Sequence, residues 1–327
     1  MTADTTATGD TTSRLRDVAV ALAAEWMGQR FFRTFRLAEG EAAPFDARLR
    51  QRDRTVGVTF ATLWDEQPRA DAVAAMEALV STDLAAANDD GAYVLWAPPG
   101  AVLPEGEPQR SDLRLALGRG LAGLAPGQRR EVRLPVQLRL AKVEPEGAYM
   151  MVTGALSSEW AHLSEGVTGV FHLDARDLLR LPDEPAEVEI ILSRIRDRAM
   201  VMVPQEVTEV PVHDYWVVSR LPVDSPRGLT VVIAPPVTAA DPDDGTRVRR
   251  GLRRAVRRAA ETRTATPEVE FGVLVLLDAL GHIRAELATQ ALRGMSPASY
   301  GAVDEILLVA DGQVREVLQP RELPWGA

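Results

Sequence analysis

Residues 44–66 constrain this chain more tightly than any other stretch. They read as two short strands joined by the polar turn Gln51-Arg52-Asp53-Arg54, with Asp46 opening the first strand. The second strand alternates: Val56, Val58 and Phe60 point to one face, and Gly57, Thr59 and Ala61 to the other. So tight a turn pairs its strands antiparallel, which places a hairpin at the centre of the N-terminal third.

The neighbouring segments supply its cover. Thr12 or Ser13 caps a helix running to about Gln29, and residues 1–12 before it read as a disordered tail. Leu15, Val18, Ala19, Leu22 and Trp26 make its apolar stripe, with Glu25 on the border. Arg30 to Leu37 has β character. A second helix is expected over 69–87, carrying Val73, Met76, Val80 and Leu84 inward, and then a strand at Tyr93–Trp96.

Pro, Gly and Glu crowd residues 98–108 and mark a boundary. A short helix at 111–118 leads into a β-rich, antiparallel middle region. Val132, Leu134, Val136, Leu138 and Leu140 alternate with polar neighbours, and Pro135 argues for an edge position. The turn Glu144–Gly147 leads to a partner strand at 148–153. Further strands are expected near 167–173, 187–193, 199–203, 213–220 and 229–234. Tyr93-to-Pro99 and Thr230-to-Pro236 share a strand followed by Ala-Pro-Pro, too briefly to signal duplication.

From Gly245 the pattern returns to α/β. It holds an amphipathic helix at 246–263, the apolar run Val269–Asp278 suited to a central strand, a helix at 284–293, and strands at 304–310 and 313–319. The expected fold is therefore α+β or α/β, a mixed central sheet flanked by helices. Residues 13–97 and 241–327 would build that domain together, with 98–240 inserted between them.

Composition narrows the chemistry. The 327 residues are 46% hydrophobic, enough for a large core, and no run reaches the ~18 apolar residues of a membrane helix. The first dozen residues lack the basic and apolar regions of a signal peptide, so the expected location is the cytoplasm. With no cysteine, thiolate metal sites and disulfides are excluded. Lys142 is the sole lysine, so a phosphate-loop or Schiff-base lysine could stand only there.

The order helix, strand, hairpin, helix, with Pro44 and Asp46 before Val56-Gly57-Val58, resembles the restriction-endonuclease-like family with PD-(D/E)XK sites. The resemblance covers roughly 13–66 and, more loosely, 246–319. It implies a phosphodiester-cleaving fold whose acids hold Mg²⁺, with Asp46 as the first acid and Glu25 as the helix acid. The family's second acid falls on Thr59 and its lysine on Ala61, neither of which serves a hard cation. Asp65 or Glu66 would have to substitute. The resemblance thus implies a scaffold that has lost cleavage, with Glu25, Asp46 and Thr59 at the remnant site.

The helix at 246–263 carries Arg247, Arg249, Arg250, Arg253, Arg254, Arg257, Arg258 and Arg263; Val248, Leu252, Ala255, Val256 and Ala259 cluster on one side, and all the arginines but Arg263 occupy the opposite half. On a chain of formal net charge −10 this is a local reversal of field, suited to a phosphate backbone. The alternative is a solvated face neutralised by acids such as Asp241, Asp243 and Asp244. Three other features carry less. Gly118-Arg119-Gly120-Leu121-Ala122-Gly123 matches GxGxxG but follows a helix-like segment instead of a strand. His172-Leu173-Asp174 and His213-Asp214 are possible ligand pairs, and His162 and His282 stand alone. No Gly-x-Ser-x-Gly elbow is present.

The functional expectation is a nuclease-like protein without cleavage activity, serving in DNA-related binding or regulation through Arg247, Arg250, Arg253, Arg254, Arg257 and Arg258. The alternatives are a protein–protein assembly module, including a homo-oligomer, and an active Mg²⁺-dependent nuclease with displaced ligands.

Overall fold

The computed structural model describes residues 4–38, 40, 42–64, 70–86, 91–104, 106–182, 184–223, 225–235, 245–280 and 285–325, of which 4–10, 70, 82–86, 245, 247, 285 and 286 are described as backbone only. The chain forms two compact units. The first takes Met1–Leu103, Gly118–Arg130 and Val217–Ala327; the second takes Pro104–Leu117 and Glu131–Trp216.

The elements run α1 (Asp4–Phe31), β1 (Arg36–Leu37), β2 (Ala47–Gln51), β3 (Arg54–Thr62), α2 (Ala70–Ala86), β4 (Ala92–Trp96) and α3 (Gln109–Leu121). Next come β5 (Arg129–Glu144), β6 (Ala148–Gly154), α4 (Trp160–Ser164), β7 (Gly169–Ala175), α5 (Pro185–Val201), β8 (Val207–Arg220) and β9 (Gly228–Val232). The chain closes with α6 (Gly245–Ala265), β10 (Phe271–Leu277), α7 (Ala285–Arg293), α8 (Pro297–Tyr300), β11 (Glu305–Ala310) and β12 (Gln313–Leu318). The class is α+β, with the described strands in two mixed sheets flanked by helices.

In the first unit one sheet has the order β1-β2-β3-β10-β11-β12. The β2–β3 hairpin is antiparallel, with Ala47 opposite Val58 and Gln51 opposite Arg54. β3 then runs parallel to β10, Val58 beside Val273 and Thr59 beside Leu274, and β10 parallel to β11. β3 is thus interior, and both of its faces are covered: Val56, Gly57, Val58, Thr59 and Phe60 are all buried. α6 and α7 pack on Leu274, Leu276, Ile306 and Leu308. Their neighbours of opposite parity, Val273, Val275, Leu307 and Val309, are equally buried, and α1 packs along β3, β10, β11 and β12. A sheet covered on both faces requires continuous apolar runs, and Leu274–Leu277 provides one.

The C-terminal segment is fastened to this sheet by aromatic rings. Trp325 lies 4.8 Å from Phe271 and 5.1 Å from Phe35 between centroids, and its indole N–H donates to Gln51 Oε1 at 3.0 Å. The first unit also holds β4 and β9, parallel and in register from Ala92–Gly228 to Trp96–Val232. The two strand-Ala-Pro stretches noticed in the sequence are therefore neighbours: Ala97 N–H donates to Val232 O and Gly100 N–H to Ala234 O. β4 pairs on its other side with the end of β8, Tyr93 opposite Arg220. β9 and this end of β8 thus fall in the first unit.

The second unit contains the order β6-β7-β5-β8. Its core is built on Leu138, Leu140, Phe171 and Leu173 from the sheet and on Ile191, Leu192, Ile195 and Ala199 from α5.

Several local expectations are corrected. α1 begins at Asp4, within the segment read as a tail, and continues through Phe31, so β1 keeps only two residues of the expected β stretch at 30–37. The strands expected at 187–193 and 199–203 lie within α5 and its C-terminal exit. Pro185 sits in the first turn of that helix, where its missing N–H costs nothing, and Ile191, Leu192, Ile195 and Ala199 follow helical spacing. β6 pairs in parallel with β7, Met150 beside Phe171, instead of returning along β5. The turn and short helix at 157–164 form the crossover that a parallel pair needs. β5 is interior in the strand order, so Pro135 does not mark an edge strand, and the β7 register begins only at Arg139.

Candidate functional site

α6 is amphipathic because its apolar residues recur at one-turn spacing. Val248, Leu252, Ala255, Val256 and Ala259 are buried in the cluster shared with β10, α7 and β11. That burial turns the arginines outward: Arg249, Arg250, Arg253, Arg254, Arg257 and Arg258 are all exposed. Six guanidiniums on fewer than three turns repel one another, so each neutralising partner matters.

Arg258 and Arg263 are bound within the same unit. Arg258 Nη2 donates to both oxygens of Asp46, at 2.5 and 2.6 Å, while its Nη1 donates to Phe60 O at 3.3 Å. Arg263 donates to Glu270 O at 2.8 Å and lies 3.7 Å from the carboxylate of Asp304. Arg254 also has a partner. Arg249, Arg250, Arg253 and Arg257 make no ion pair among the described residues. Arg247 is described as backbone only, and Asp241, Asp243 and Asp244 lie outside the described residues.

The residues matched to a metal site each have other surroundings. Besides Arg258, Asp46 accepts the Phe60 N–H at 2.8 Å, so the carboxylate ties the start of β2 to β3 and α6. Thr59 is buried in the middle of β3 beside Leu274. Glu25, on α1, lies against Gly127 and accepts from Gln29 Nε2 at 3.3 Å; burial pushes its pKa up. A carboxylate already occupied by a guanidinium and a threonine aligned with a leucine do not fit a divalent ion. Among the described residues no group of three or more His, Asp or Glu side chains could hold a metal. Asp65 and Glu66 lie outside the described residues.

The other motifs have structural explanations. The GxGxxG stretch is the C-terminal end of α3, and its free carbonyls are taken by Arg130 Nη1, which donates to Arg119 O, Gly120 O and Ala122 O at 2.9–3.2 Å. A helix C-terminus presents carbonyls, the wrong polarity for phosphate. Lys142 donates to Met202 O at 3.1 Å and lies over the Phe171 ring, so the single lysine is a packing residue. Asp174 pairs with Arg176. Asp214 is buried and accepts the Arg180 N–H at 2.7 Å and the Trp216 indole N–H at 2.8 Å, and burial raises its pKa. Neither acid is free to ligate beside its histidine. His282 lies outside the described residues.

One feature had no sequence signal. α6 and the segment joining α7 to α8 border a cleft of about 370 Å³, lined by Arg253, Arg257, Ala260, Glu261, Gly294, Met295, Ser296 and Ser299. Its serines and methionine belong to no motif and reach the arginines only through the fold.

Among the described residues no helix is long and apolar enough to cross a membrane. Comparison with family models, with curated proteins and with solved structures returns no match.

Proposed function

We propose that this protein binds polyanions, nucleic acid first among them, through the outer face of α6, on a nuclease-like scaffold that serves in binding or regulation without cleaving. One observation carries the reading: on a chain of net charge −10, Arg249, Arg250, Arg253 and Arg257 are exposed on one helix without an ion pair among the described residues. Phosphates brought to such a row release counterions, a gain that weakens with salt. Non-cleaving use of the scaffold is supported by Asp46, whose oxygens are engaged by Arg258 and Phe60 N–H. The test is fluorescence anisotropy with a labelled DNA duplex at low salt. Saturable binding weakened by Arg249→Gln with Arg250→Gln supports the reading, and no binding removes it.

A second reading, a protein–protein assembly module, draws on the second unit. There the last strand of the sheet, β6, exposes Tyr149 (45%) and Met151 (50%), and the Tyr149 ring lies tilted against the exposed Trp160 (48%) at 5.8 Å between centroids. Apolar side chains this exposed along a strand edge suit a protein partner. Light scattering after size exclusion, with and without Met151→Glu, separates it from the first reading: a monomer at all concentrations that retains duplex binding disfavours it.

A further inference from the structure

We propose that the cleft between α6 and the α7–α8 connection is a binding site for a small phosphomonoester. Arg253 and Arg257 stand one helical turn apart and both enter the cleft, so their guanidinium groups can converge on one anion. Neither makes an ion pair among the described residues. Glu261, one turn beyond Arg257 and in salt-bridge range by spacing, does not neutralise it either. Two unpaired guanidiniums in one recess match a dianion better than the single charge of a phosphodiester, and each fork can take two phosphate oxygens.

The opposite wall supplies hydroxyl groups. Ser296 occupies the N-cap of α8, yet its side chain makes no capping hydrogen bond, which leaves the hydroxyl available to the cleft. Ser299 adds a second exposed hydroxyl. Ala260 and Met295 give an apolar surface for the organic part of the ligand, and the Glu261 carboxylate can accept from a ligand hydroxyl. The volume of about 370 Å³ sits at the small end of ligand sites.

This deepens the α6 reading and rests on it only in that the same helix supplies the cations. Two sources share the chemistry: a free mononucleotide or sugar phosphate, and the 5′-phosphorylated end of a strand. Calorimetry on the full chain with inorganic phosphate is the first arm. Arg253→Gln with Arg257→Gln should weaken binding about tenfold or more, since two charge-assisted contacts are lost. Ser296→Ala should weaken it less, and Glu261→Gln should strengthen it. The charge-matched control Arg110→Gln with Arg119→Gln should leave it unchanged, with melting curves showing every variant folded.

The second arm compares adenosine 5′-monophosphate with adenosine, and a short single strand with and without its 5′-phosphate. Preference for the monophosphate alone points to a free metabolite, and preference for the phosphorylated strand points to an end. The proposal is overturned if wild type shows no saturable phosphate binding, if the control weakens it equally, or if neither comparison shows a phosphate preference. Duplex binding read through Arg249 and Arg250 is scored separately, so either conclusion can fail alone.

Discussion

Arg258 closes on Asp46: one guanidinium nitrogen lies 2.5 and 2.6 Å from the two carboxylate oxygens, joining residues 212 positions apart. The pair links the first strand of the hairpin to the arginine helix. It also spends the acid that the family resemblance assigns to a metal.

Asp46→Ala therefore separates the readings. The variant should lose about 1–2 kcal/mol of stability in urea unfolding, because the Phe60 N–H and Arg258 both lose their acceptor. The ionic part is small, since Arg258 is about half exposed. Duplex affinity should rise, because the freed guanidinium adds a cation to α6. An active nuclease would instead lose Mg²⁺-dependent cleavage.

Glu305 is buried at the start of β11 with neither carboxylate oxygen hydrogen-bonded. Burial, reinforced by Glu316 and opposed by Arg30, pushes its pKa up to about 8 from 4.5. Between those values the native state holds a proton that the unfolded chain has lost, so this residue's contribution is full below pH 4.5 and is lost as pH rises through 8. The loss is roughly 5 kcal/mol at most, at ~1.4 kcal/mol per pKa unit. Glu305→Gln, neutral throughout, should flatten that part of the stability profile measured by denaturant unfolding from pH 5 to 9.

Gly57 in β3 lies under the Phe45 ring, where an added Cβ would overlap the ring carbons. Gly57→Ala should cost about 1–3 kcal/mol as an overpacked core position, measured by thermal unfolding. Phe45→Leu should relieve part of that cost in the double variant.

Arg52 turns the hairpin with φ +54°, in the left-handed region, without being glycine. Arg52→Gly should stabilise the protein by about 0.5–1 kcal/mol in the same unfolding assay, since relief of steric strain exceeds the added chain entropy.

The hairpin, the apolar strand at 271–277 and the arginine helix were legible because each carries a local period or turn signal. α5 was not, since Val188, Ile190 and Ile191 give β-branched character to a segment whose helical stripe shows only once Ile195 and Ala199 are counted. The parallel pairing of β6 with β7 depends on a crossover too short to stand out, and Glu144–Gly147 looked like a hairpin turn. At the candidate site, the arginines were visible and their partners were not. Which arginine meets Asp46 is fixed by the docking of α6 over β3. The charge count alone cannot distinguish Arg258 from Arg257. The cleft was invisible for the same reason, because Ser296 and Ser299 acquire meaning only beside Arg253 and Arg257.

The salt dependence of duplex binding tests the central claim most directly. If α6 meets phosphates, log K should fall linearly with log salt, and replacing Arg249 and Arg250 by Gln should reduce the slope by about two contacts' worth, roughly 1.8. A slope identical in wild type and variant, or binding indifferent to salt, would contradict the account.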